Sequence, residues 1–395
     1  MAKVFIFISL ALACFHAHGA TRSDCIGDEG GATVTPGSSL QTAIDTAPLI
    51  ANARTIVLCQ AARFEISNHI SLPSYTKIFT RGLPTQDALK ATLFYKVGSG
   101  LVNGAVIASY ASNQVELRNI IVDGMRTNIN IEPSLDEARR NRTLIAIGGT
   151  GSVIDRVRVV NSIGLEAISA ADDPNCDGLQ ITNSFIGYSG FFAKLNNIGQ
   201  WADGIGVYCK NATIANNEIR DVTDGGITIY GGTNTSINNN WIANSGRSGI
   251  SGIVVAAAFS NKWPVSFLGS TINNNLIQTA ASTQLQVGIS AGSRMWCYQN
   301  AECNYISGIS ILNNSGNGRF GYGLVVAGMN NVTLTGNNIV MTRWDNPNWV
   351  GSFAKCGWSN NQTNWYVVES GTTGNNLQSG YNLRSDVTGC IGLTN

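Results

Sequence analysis

Residues 226–230 (GITIY), followed by residues 237–242 (INNNWI), decide the fold of this chain. The phrase is a Gly-Ile strand, then an Asn-rich turn joined to a second short apolar strand. It recurs, with looser copies towards the C-terminus, at 204–219, 252–277, 288–314 and 323–339. A period of roughly 20–35 residues built from short strands indicates a solenoid. The repeat therefore predicts an all-β chain whose parallel coils stack on one another.

Alternation within the Gly-Ile strands predicts which side chains form the core. Successive side chains of a strand point to opposite faces, so the inward positions are expected to be Ile205, Val207, Ile227, Ile229, Ile253 and Val255. The neighbouring asparagines are expected to bond along the turns and to satisfy backbone groups there. Because adjacent strands lie about 4.8 Å apart, equivalent residues of successive coils become neighbours.

The N-terminal residues indicate export. Residues 1–20 contain Lys3, an apolar run that ends at Cys14, and then small residues, which is typical of a secretory signal peptide. No later apolar run is long enough to span a bilayer. We therefore expect a secreted, extracellular protein without a membrane span, in which residues 21–395 form a single domain.

Three regions are predicted within that domain. Residues 21–54 are expected to form a leader and a capping helix, because a helical apolar periodicity follows Ser38, which with Gln41 matches a capping box. Such a helix would cover the apolar core at the open end of the solenoid. Residues 55–343 are expected to form the coils. The repeat is lost in residues 344–395, which are expected to form a disulfide-bonded C-terminal cap.

Cysteine usage is consistent with export. The nine cysteines become eight when the signal peptide leaves, and an even number suggests disulfides. Spacing suggests local pairs, with some free buried thiols as the alternative: Cys25–Cys59, Cys176–Cys209, Cys297–Cys303 and Cys356–Cys390. A zinc site is not expected, because there is no Cys-x-x-Cys and the mature chain keeps only His69.

Composition argues against one class of partner. The formal net charge is +1, and 12% of the residues are charged. A nucleic-acid-binding protein would show a basic patch, and the basic cluster at 139–142 is short, so nucleic acid is not an expected partner.

Sequons predict N-glycosylation in a eukaryotic host at Asn141, Asn211, Asn234, Asn313, Asn331 and Asn361.

The residues just before the Gly-Ile strands form the row in which chemistry is expected. Alignment on those strands places near one edge Glu166, Asp203, Asp224 and Arg247, with Gln286 and Arg319 further along. Carboxylates on adjacent coils repel each other, which raises one pKa and prepares an acid beside an ionised partner. The alternative is structural, because Asp before Gly commonly bonds the amides of a turn.

Substrate-binding residues are expected on the same face. Tyr208 and Tyr230 occupy matching outward positions, so they are predicted to stack on each other and on sugar rings, with Trp201 as a further candidate. Glu166 would bind substrate beside them, and Arg319 would clamp a sugar carboxylate.

The coils and the plugging helix at 39–45 resemble those of the right-handed parallel β-helix proteins of the pectate-lyase-like superfamily. The resemblance covers roughly residues 38–339 and implies a right-handed parallel β-helix. It is specific for fold and weak for activity, since the superfamily includes lyases, hydrolases, epimerases and non-catalytic surface proteins. Known active-site motifs are absent: Asp172-Asp173 precedes Pro174, and Asn175 rather than a histidine follows.

Two functions remain open. The first is cleavage of an extracellular, acidic polysaccharide. A lyase is favoured over a glycoside hydrolase, because the resemblance favours lyase activity and because the histidine of known active-site motifs is missing. In the lyase, Arg247 would be the base, and Ca²⁺ held by Asp203, Asp224 and Glu166 would neutralise the uronic carboxylate. In the hydrolase, Asp203 and Asp224 would be acid and base or nucleophile. The second function is non-catalytic glycan binding by a wall, matrix or adhesion protein.

Overall fold

The computed structural model describes residues 25–96, 105–126, 143–162, 164–171, 173–195, 198–200, 202–257, 265–296, 304–342 and 366–385. Over these residues the chain winds into a right-handed parallel β-helix, as the repeat and the resemblance predicted. Each coil passes through three sheets in the same order and then begins again one strand spacing further along the axis.

The first sheet contains β2 (Arg54–Leu58), β5 (Thr76–Thr80), β8 (Glu116–Arg118), β11 (Val153–Asp155), β14 (Gln180–Thr182), β19 (Thr213–Ala215), β22 (Ser236–Asn238), β25 (Ser270–Asn273), β29 (Ile309–Leu312), β32 (Val332–Thr335) and β35 (Gly374–Asn376).

The second sheet contains β1 (Val34–Pro36), β3 (Arg63–Ile66), β6 (Ala91–Tyr95), β9 (Ile120–Asp123), β12 (Arg158–Val160), β15 (Phe185–Gly187), β20 (Glu218–Arg220), β23 (Trp241–Asn244), β26 (Leu276–Thr279), the first part of β30 (Ser315–Val326) and β33 (Asn338–Thr342).

The third sheet contains β4 (Ile70–Ser71), β7 (Ile107–Ser109), β10 (Ile145–Ile147), β13 (Glu166–Ala170), β18 (Asp203–Tyr208), β21 (Gly225–Gly231), β24 (Gly249–Val255), β27 (Leu285–Ala291), the second part of β30, β34 (Tyr366–Glu369) and β36 (Asn382–Arg384).

Four of the described strands lie outside these sheets: an antiparallel hairpin of β16 (Phe191–Leu195) and β17 (Ile198–Gln200), and a parallel pair of β28 (Ile306–Ser307) and β31 (Met329–Asn330). The described residues also form helix α1 (Gly37–Thr46) and 3₁₀ turns at Asp87–Leu89 and Ser293–Trp296. In the part of the chain that the structure describes, no helix is both long and apolar enough to cross a membrane.

The inward isoleucines and valines form one continuous core, which confirms the prediction from alternation. In the register Ile205 lies opposite Ile227, and Ile227 lies opposite Ile253. All six predicted inward residues are at most 1% exposed and belong to a single apolar cluster. Burying each such side chain stabilises the fold by about 1.5–3 kcal/mol before entropy is counted.

The glycine before each inward isoleucine is required by the close approach of successive coils. A Cβ at Gly204 would lie 2.5 Å from the carbonyl oxygen of Gly226, and one at Gly226 would lie 2.5 Å from that of Gly252. The same contact recurs between Gly252 and Gly288, at 2.7 Å. Any larger residue would push the coils apart, so the Gly-Ile phrase is a packing requirement.

A buried column of asparagines holds the turns between the first and second sheets, as predicted. After the first member, each amide oxygen accepts hydrogen bonds from the backbone N–H and the side-chain N–H of the asparagine one coil earlier, at 2.9–3.1 Å. The column, none of whose members is more than 2% exposed, consists of Asn217, Asn240, Asn275, Asn314 and Asn337. It replaces the water that these turn amides would otherwise need.

Helix α1 covers the N-terminal end of the solenoid, but its start differs from the prediction. Leu40 and Ile44 are fully buried against the first coils. The helix begins at Gly37 with Pro36 as its N-cap and no side-chain cap, so Ser38 with Gln41 is not a capping box. Gln41 instead exchanges two hydrogen bonds with the backbone of Ser71, which closes the free edge of β4.

The coils continue beyond the predicted boundary at residue 343. Strand β34 pairs with β30, β36 pairs with β34, and β35 pairs with β32. Residues 366–384 therefore add to the same sheets in the region where the sequence predicted a separate cap. The predicted signal peptide and the other residues of the predicted cap lie outside the described residues.

Two of the four suggested disulfides are confirmed. Cys25 is bonded to Cys59 with a Cα–Cα distance of 5.0 Å, and Cys176 is bonded to Cys209 with a Cα–Cα distance of 4.7 Å. The remaining suggested pairs, Cys297–Cys303 and Cys356–Cys390, lie outside the described residues.

Replacing Asn240 by Ala should lower the free energy of unfolding by about 3 kcal/mol, because it leaves the buried donors of Asn217 and the carbonyl of Ile214 short of a partner. The matched control is Asn239→Gly in the same turn, since Asn239 is exposed and has φ of 54°. Urea unfolding monitored by circular dichroism measures both. Equal losses in the two variants would contradict a role for the buried column.

Candidate functional site

The third sheet brings three carboxylates together on its outer side. Glu166 lies directly opposite Asp203 in the parallel register of β13 and β18. Ile205 lies opposite Ile227, which sets Gly225 beside Asp203 and leaves Asp224 one residue before that position. The predicted row is therefore correct for Glu166 and Asp203, and Asp224 is offset by the extra glycine of its Asp-Gly-Gly sequence.

Asp203 is held rigidly by three donors. Its Oδ1 accepts hydrogen bonds from the Gly225 backbone N–H and the Thr228 hydroxyl, both at 2.8 Å, and its Oδ2 accepts one from the Tyr230 hydroxyl at 2.8 Å. The residue is 4% exposed. Gly225 is needed here, because a Cβ at that position would collide with the Thr228 hydroxyl and lie 2.9 Å from Asp203 Oδ1.

Glu166 occupies space that a glycine leaves open. It is 8% exposed, and its carboxylate lies where a Cβ of Gly206 would stand. Ser169 and Thr228 flank Gly206 on the neighbouring strands. The glycine therefore lets a carboxylate from one coil reach over the next and approach Asp203 and Asp224.

Burial and like charge raise the pKa values of both aspartates. Burial raises the pKa of Asp203 to about 6, although the bonds from Thr228, Tyr230 and Gly225 act in the opposite direction. Burial raises the pKa of Asp224 well above its usual value, and the negative charges of Asp203 and Glu166 add to this rise. The negative charge of ionised Asp203 therefore favours the protonated form of Asp224.

The cluster has an inner and an outer layer. Asp203 and Glu166 are buried, whereas Asp224 and Tyr230 are half-buried and form the side that faces outwards. Burial raises the pKa of Tyr230 well above its usual value, and the charges of the three carboxylates add to that effect. The Tyr230 hydroxyl therefore stays protonated and donates to Asp203.

The two tyrosines do not stack on each other as predicted. The register shifts after Val207, so that Tyr208 lies opposite Gly231 rather than Tyr230. The Tyr208 ring covers Gly231, where a Cβ would lie 2.5 Å from the ring edge. Burial raises the pKa of Tyr208, which is 7% exposed. An exposed pair of sugar-stacking rings is therefore not present at these two positions.

The structure does not bring Arg247 into the row. Gly225 lies opposite Ser251, so the row continues through Ser251, and Arg247 lies earlier, in the turn before β24. Its Nη1 donates to the carbonyl of Gly190 at 3.0 Å, and its backbone N–H donates to Asp221. Arg126 Nε donates in the same way to the carbonyl of Tyr188, also at 3.0 Å.

These two arginines reach the same turn from opposite directions along the axis. Arg126 comes from an earlier coil and Arg247 from a later one, and their targets immediately precede hairpin β16–β17. Neither contact was expected from the sequence, because each depends on which coils lie above and below the turn.

The other predicted binding residues are not part of the cluster. Arg319 is half-buried in β30, and its backbone N–H donates to Thr279; the residue of β30 that continues the row is Tyr322. Trp201 lies outside the described residues. Thr228 was not predicted as a functional residue. Strand alternation places it outwards, beside the inward Ile227, and that position could have indicated it.

The carboxylates do not form a ready cage for a cation. Among the described residues, one group of three potential metal ligands has its ligand atoms within 4.8 Å of one another, and it is Cys25, Glu29 and Cys59, whose cysteines are disulfide-bonded. Glu166, Asp203 and Asp224 do not meet that spacing. The Ca²⁺ site of the lyase hypothesis is therefore not preformed by these three side chains. Two of them, Asp203 and Glu166, are buried in the inner layer.

Four of the six sequons lie on exposed turns. Asn211, Asn234, Asn313 and Asn331 are exposed, and the side chains of Asn211 and Asn234 bond to each other along the axis. Their glycosylation stays a prediction. Asn141 and Asn361 lie outside the described residues.

No protein-family model and no curated protein sequence matches the chain. Solved structures, by contrast, match the chain. A mutant tailspike protein of E. coli bacteriophage HK620 in complex with a pentasaccharide matches with a TM-score of 0.51 and 11% identity, over 92% of this chain and 66% of the tailspike. The Streptococcus pneumoniae surface protein and adhesin PfbA matches with a TM-score of 0.50 and 15% identity, over 90% and 94% of the two chains.

A third match is the A-module of the Azotobacter vinelandii mannuronan C-5 epimerase AlgE4, with a TM-score of 0.46 and 13% identity, over 95% of this chain and 98% of the module. Likenesses at identities this low show the fold alone. Like the tailspike and the adhesin, the chain has a right-handed parallel β-helix fold.

Proposed function

We propose that this protein is an exported enzyme that cleaves a glycan by general acid–base catalysis on the third sheet. Asp224 is the acid and Asp203 is the base. The observation that carries the proposal is the packing of Asp203, Asp224 and Glu166 on neighbouring strands, where burial raises both aspartate pKa values and like charge raises that of Asp224 further.

The two aspartates differ in the way that an acid–base pair requires. Asp203 has three hydrogen-bond donors that favour its ionised form, whereas the backbone N–H of Gly225 is the donor that favours ionised Asp224. Paired carboxyl groups whose environments push their pKa values apart divide into proton donor and proton acceptor. In glycoside hydrolysis the donor protonates the leaving oxygen while the acceptor activates water or attacks the sugar.

The charge of the site favours a hydrolase over the lyase expected from the sequence. A lyase needs a cation to neutralise the uronic carboxylate and a base to take the adjacent proton. Arg247 donates to the Gly190 carbonyl. Within the described chain, the groups that lower the pKa of either aspartate are hydrogen-bond donors and not cations. Three acidic groups would repel a uronate at the point of cleavage, which favours a neutral sugar there.

A glycan is the substrate class to test first. The HK620 tailspike, which has the same architecture, was solved in complex with a pentasaccharide. The disulfides Cys25–Cys59 and Cys176–Cys209 are consistent with the expected export, because such bonds persist in oxidising compartments.

Non-catalytic glycan binding is the second candidate, and one observation favours it. Both oxygens of Asp203 are already bonded, to Gly225, Thr228 and Tyr230, and the group is 4% exposed. A carboxylate saturated in this way also serves to tie two coils together. Loss-of-function variants separate the two candidates.

Asp203→Asn and Asp224→Asn should each lower kcat on a cleaved glycan by about 10²–10⁴-fold, the usual contribution of a positioned acid or base. The matched control is Asp177→Asn, since Asp177 accepts a hydrogen bond from a side-chain amide in a turn away from the cluster. Purified protein is screened against neutral glycans, pectate, alginate and glucuronan, with and without chelator. Reducing ends and unsaturated ultraviolet-absorbing products are measured separately.

An unsaturated product would overturn the hydrolase in favour of the lyase. Turnover that is unchanged in both aspartate variants, or no turnover of any glycan, would favour the non-catalytic candidate.

The buried aspartates should also make the fold less stable as the pH rises. A carboxyl whose pKa is higher in the folded state than in the unfolded chain favours folding only while it is protonated, so stability falls as the pH rises from the unfolded value of 3.8 to the folded value of about 6. For Asp203 the difference between a pKa of 3.8 and a pKa of about 6 corresponds to about 3 kcal/mol.

The free energy of unfolding, measured by urea at pH 4 and at pH 7, should therefore decrease over this interval, and the decrease should be smaller in Asp203→Asn by about that amount. A variant with the same pH dependence as the wild type would contradict the raised pKa of Asp203.

A further inference from the structure

The layering of the cluster determines which groups a substrate meets. Asp203 lies in the buried layer, and its Oδ2 is bonded to the Tyr230 hydroxyl at 2.8 Å. Tyr230 and Asp224 are the half-buried members on the outer side. A sugar approaching this face meets Tyr230 and Asp224 before it meets Asp203.

Neighbouring residues fix this order. The Thr228 hydroxyl and the Gly225 N–H hold Asp203 Oδ1, so the carboxylate presents only Oδ2 to the phenol. Tyr230 is the residue after Ile229, whose side chain is buried in the core, and it belongs to the same strand as Gly225 and Thr228. All three donors to Asp203 therefore come from one coil, and they clamp a carboxylate that belongs to the coil before it.

We infer that Tyr230 is a catalytic residue that relays a proton between the substrate side and Asp203, so that Asp203 acts as a positioning residue and proton acceptor behind it. This inference rests on the proposed function and specifies how the base of that reaction works. The arrangement is an outer hydroxyl, hydrogen-bonded to an inner base that is itself oriented by further donors.

The step balances with water as the only co-reactant. An O–H bond of the attacking water breaks, and its proton passes to Tyr230 Oη while the original phenolic proton passes to Asp203 Oδ2. The water oxygen bonds to the anomeric carbon. The glycosidic C–O bond breaks as Asp224 gives its proton to the leaving oxygen. Asp203 ends protonated and Asp224 ionised, and exchange of one proton with solvent restores both.

The test is a double-mutant cycle with Tyr230→Phe, Asp203→Asn and the double variant, measured on the glycan that the wild type cleaves. Tyr230→Phe should lower kcat by about 10²-fold or more with KM changed by less than about threefold, because a proton transfer and not a binding contact is removed. If Asp203 acts only through Tyr230, the double variant should be no slower than the slower single variant.

The matched control is Tyr188→Phe. Tyr188 is half-buried and follows strand β15, and its ring contacts Phe185 with a centroid distance of 5.8 Å. Its activity should equal that of the wild type. Thermal unfolding of every variant establishes that it is folded.

If Tyr230→Phe does not fold, fluorotyrosine incorporated at position 230 replaces it. The ring and the bond to Asp203 remain while the phenol becomes a stronger acid, so kcat at the pH optimum should change with that acidity. A purely structural tyrosine would shift only the acid limb of the pH–rate profile, through the pKa of Asp203.

The possible results separate the Tyr230 relay from the proposed glycan cleavage. Tyr230→Phe with activity near that of the wild type, single-variant effects that multiply in the double variant, or an unchanged kcat of the fluorotyrosine protein at its pH optimum would overturn the relay and leave glycan cleavage by Asp203 and Asp224 standing. A wild type that cleaves no glycan would overturn the relay together with the proposed function.

Discussion

The hydrogen-bonded register between successive coils is the constraint on which the rest of the structure depends. Strand pairing sets the spacing along the axis, and the close contacts of Gly204, Gly226 and Gly252 with the next coil allow that spacing to be reached. The buried asparagine column fixes the turns in the same register, because each amide bonds its equivalent one coil away. A shift of one residue in any coil would break the core and the column together.

The same register forces like charges together and explains why the candidate site costs stability. Stacking places isoleucine on isoleucine in the core, and on the outer side it places Glu166 on Asp203. A core gains from such repetition, whereas carboxylates in low dielectric repel each other and lose hydration. Proteins commonly retain strained or uncompensated groups where they act, and the contrast with other carboxylates of this chain supports that reading.

Asp155 provides the contrast within the same fold. It is 4% exposed, as Asp203 is, and burial raises its pKa. Bonds from Asn183 and Thr182 and the charges of Arg156 and Arg118 outweigh that effect, so the pKa of Asp155 is lowered overall. A carboxylate that ties coils together is thus neutralised by arginines, which bond it at 2.7 and 2.9 Å. Within the described part of the chain, the groups that lower the pKa of Asp203 or Asp224 are hydrogen-bond donors rather than arginines, and this contrast supports the proposed acid–base role.

The sequence alone determined the features that repeat. The Gly-Ile phrase, the inward isoleucines and the Asn-Asn turns were predictable, because every coil solves the same packing problem with the same residues. The proximity of Glu166 and Asp203 followed from this alignment, whereas the two disulfides seen here were suggested by the local spacing of the cysteines. Such inferences need only the period of the repeat and the alternation of a strand.

Only the tertiary structure decided what departs from the repeat. The extra glycine before Ile227 moved Asp224 off the row, and the register shift after Val207 separated Tyr208 from Tyr230. Arg247 reached the turn at Gly190 instead of the carboxylates, and Gln41 closed the edge of β4 instead of capping its own helix. Local spacing predicts contacts between equivalent positions, but a long side chain bonds whichever group of another coil lies within reach, and that depends on three-dimensional packing.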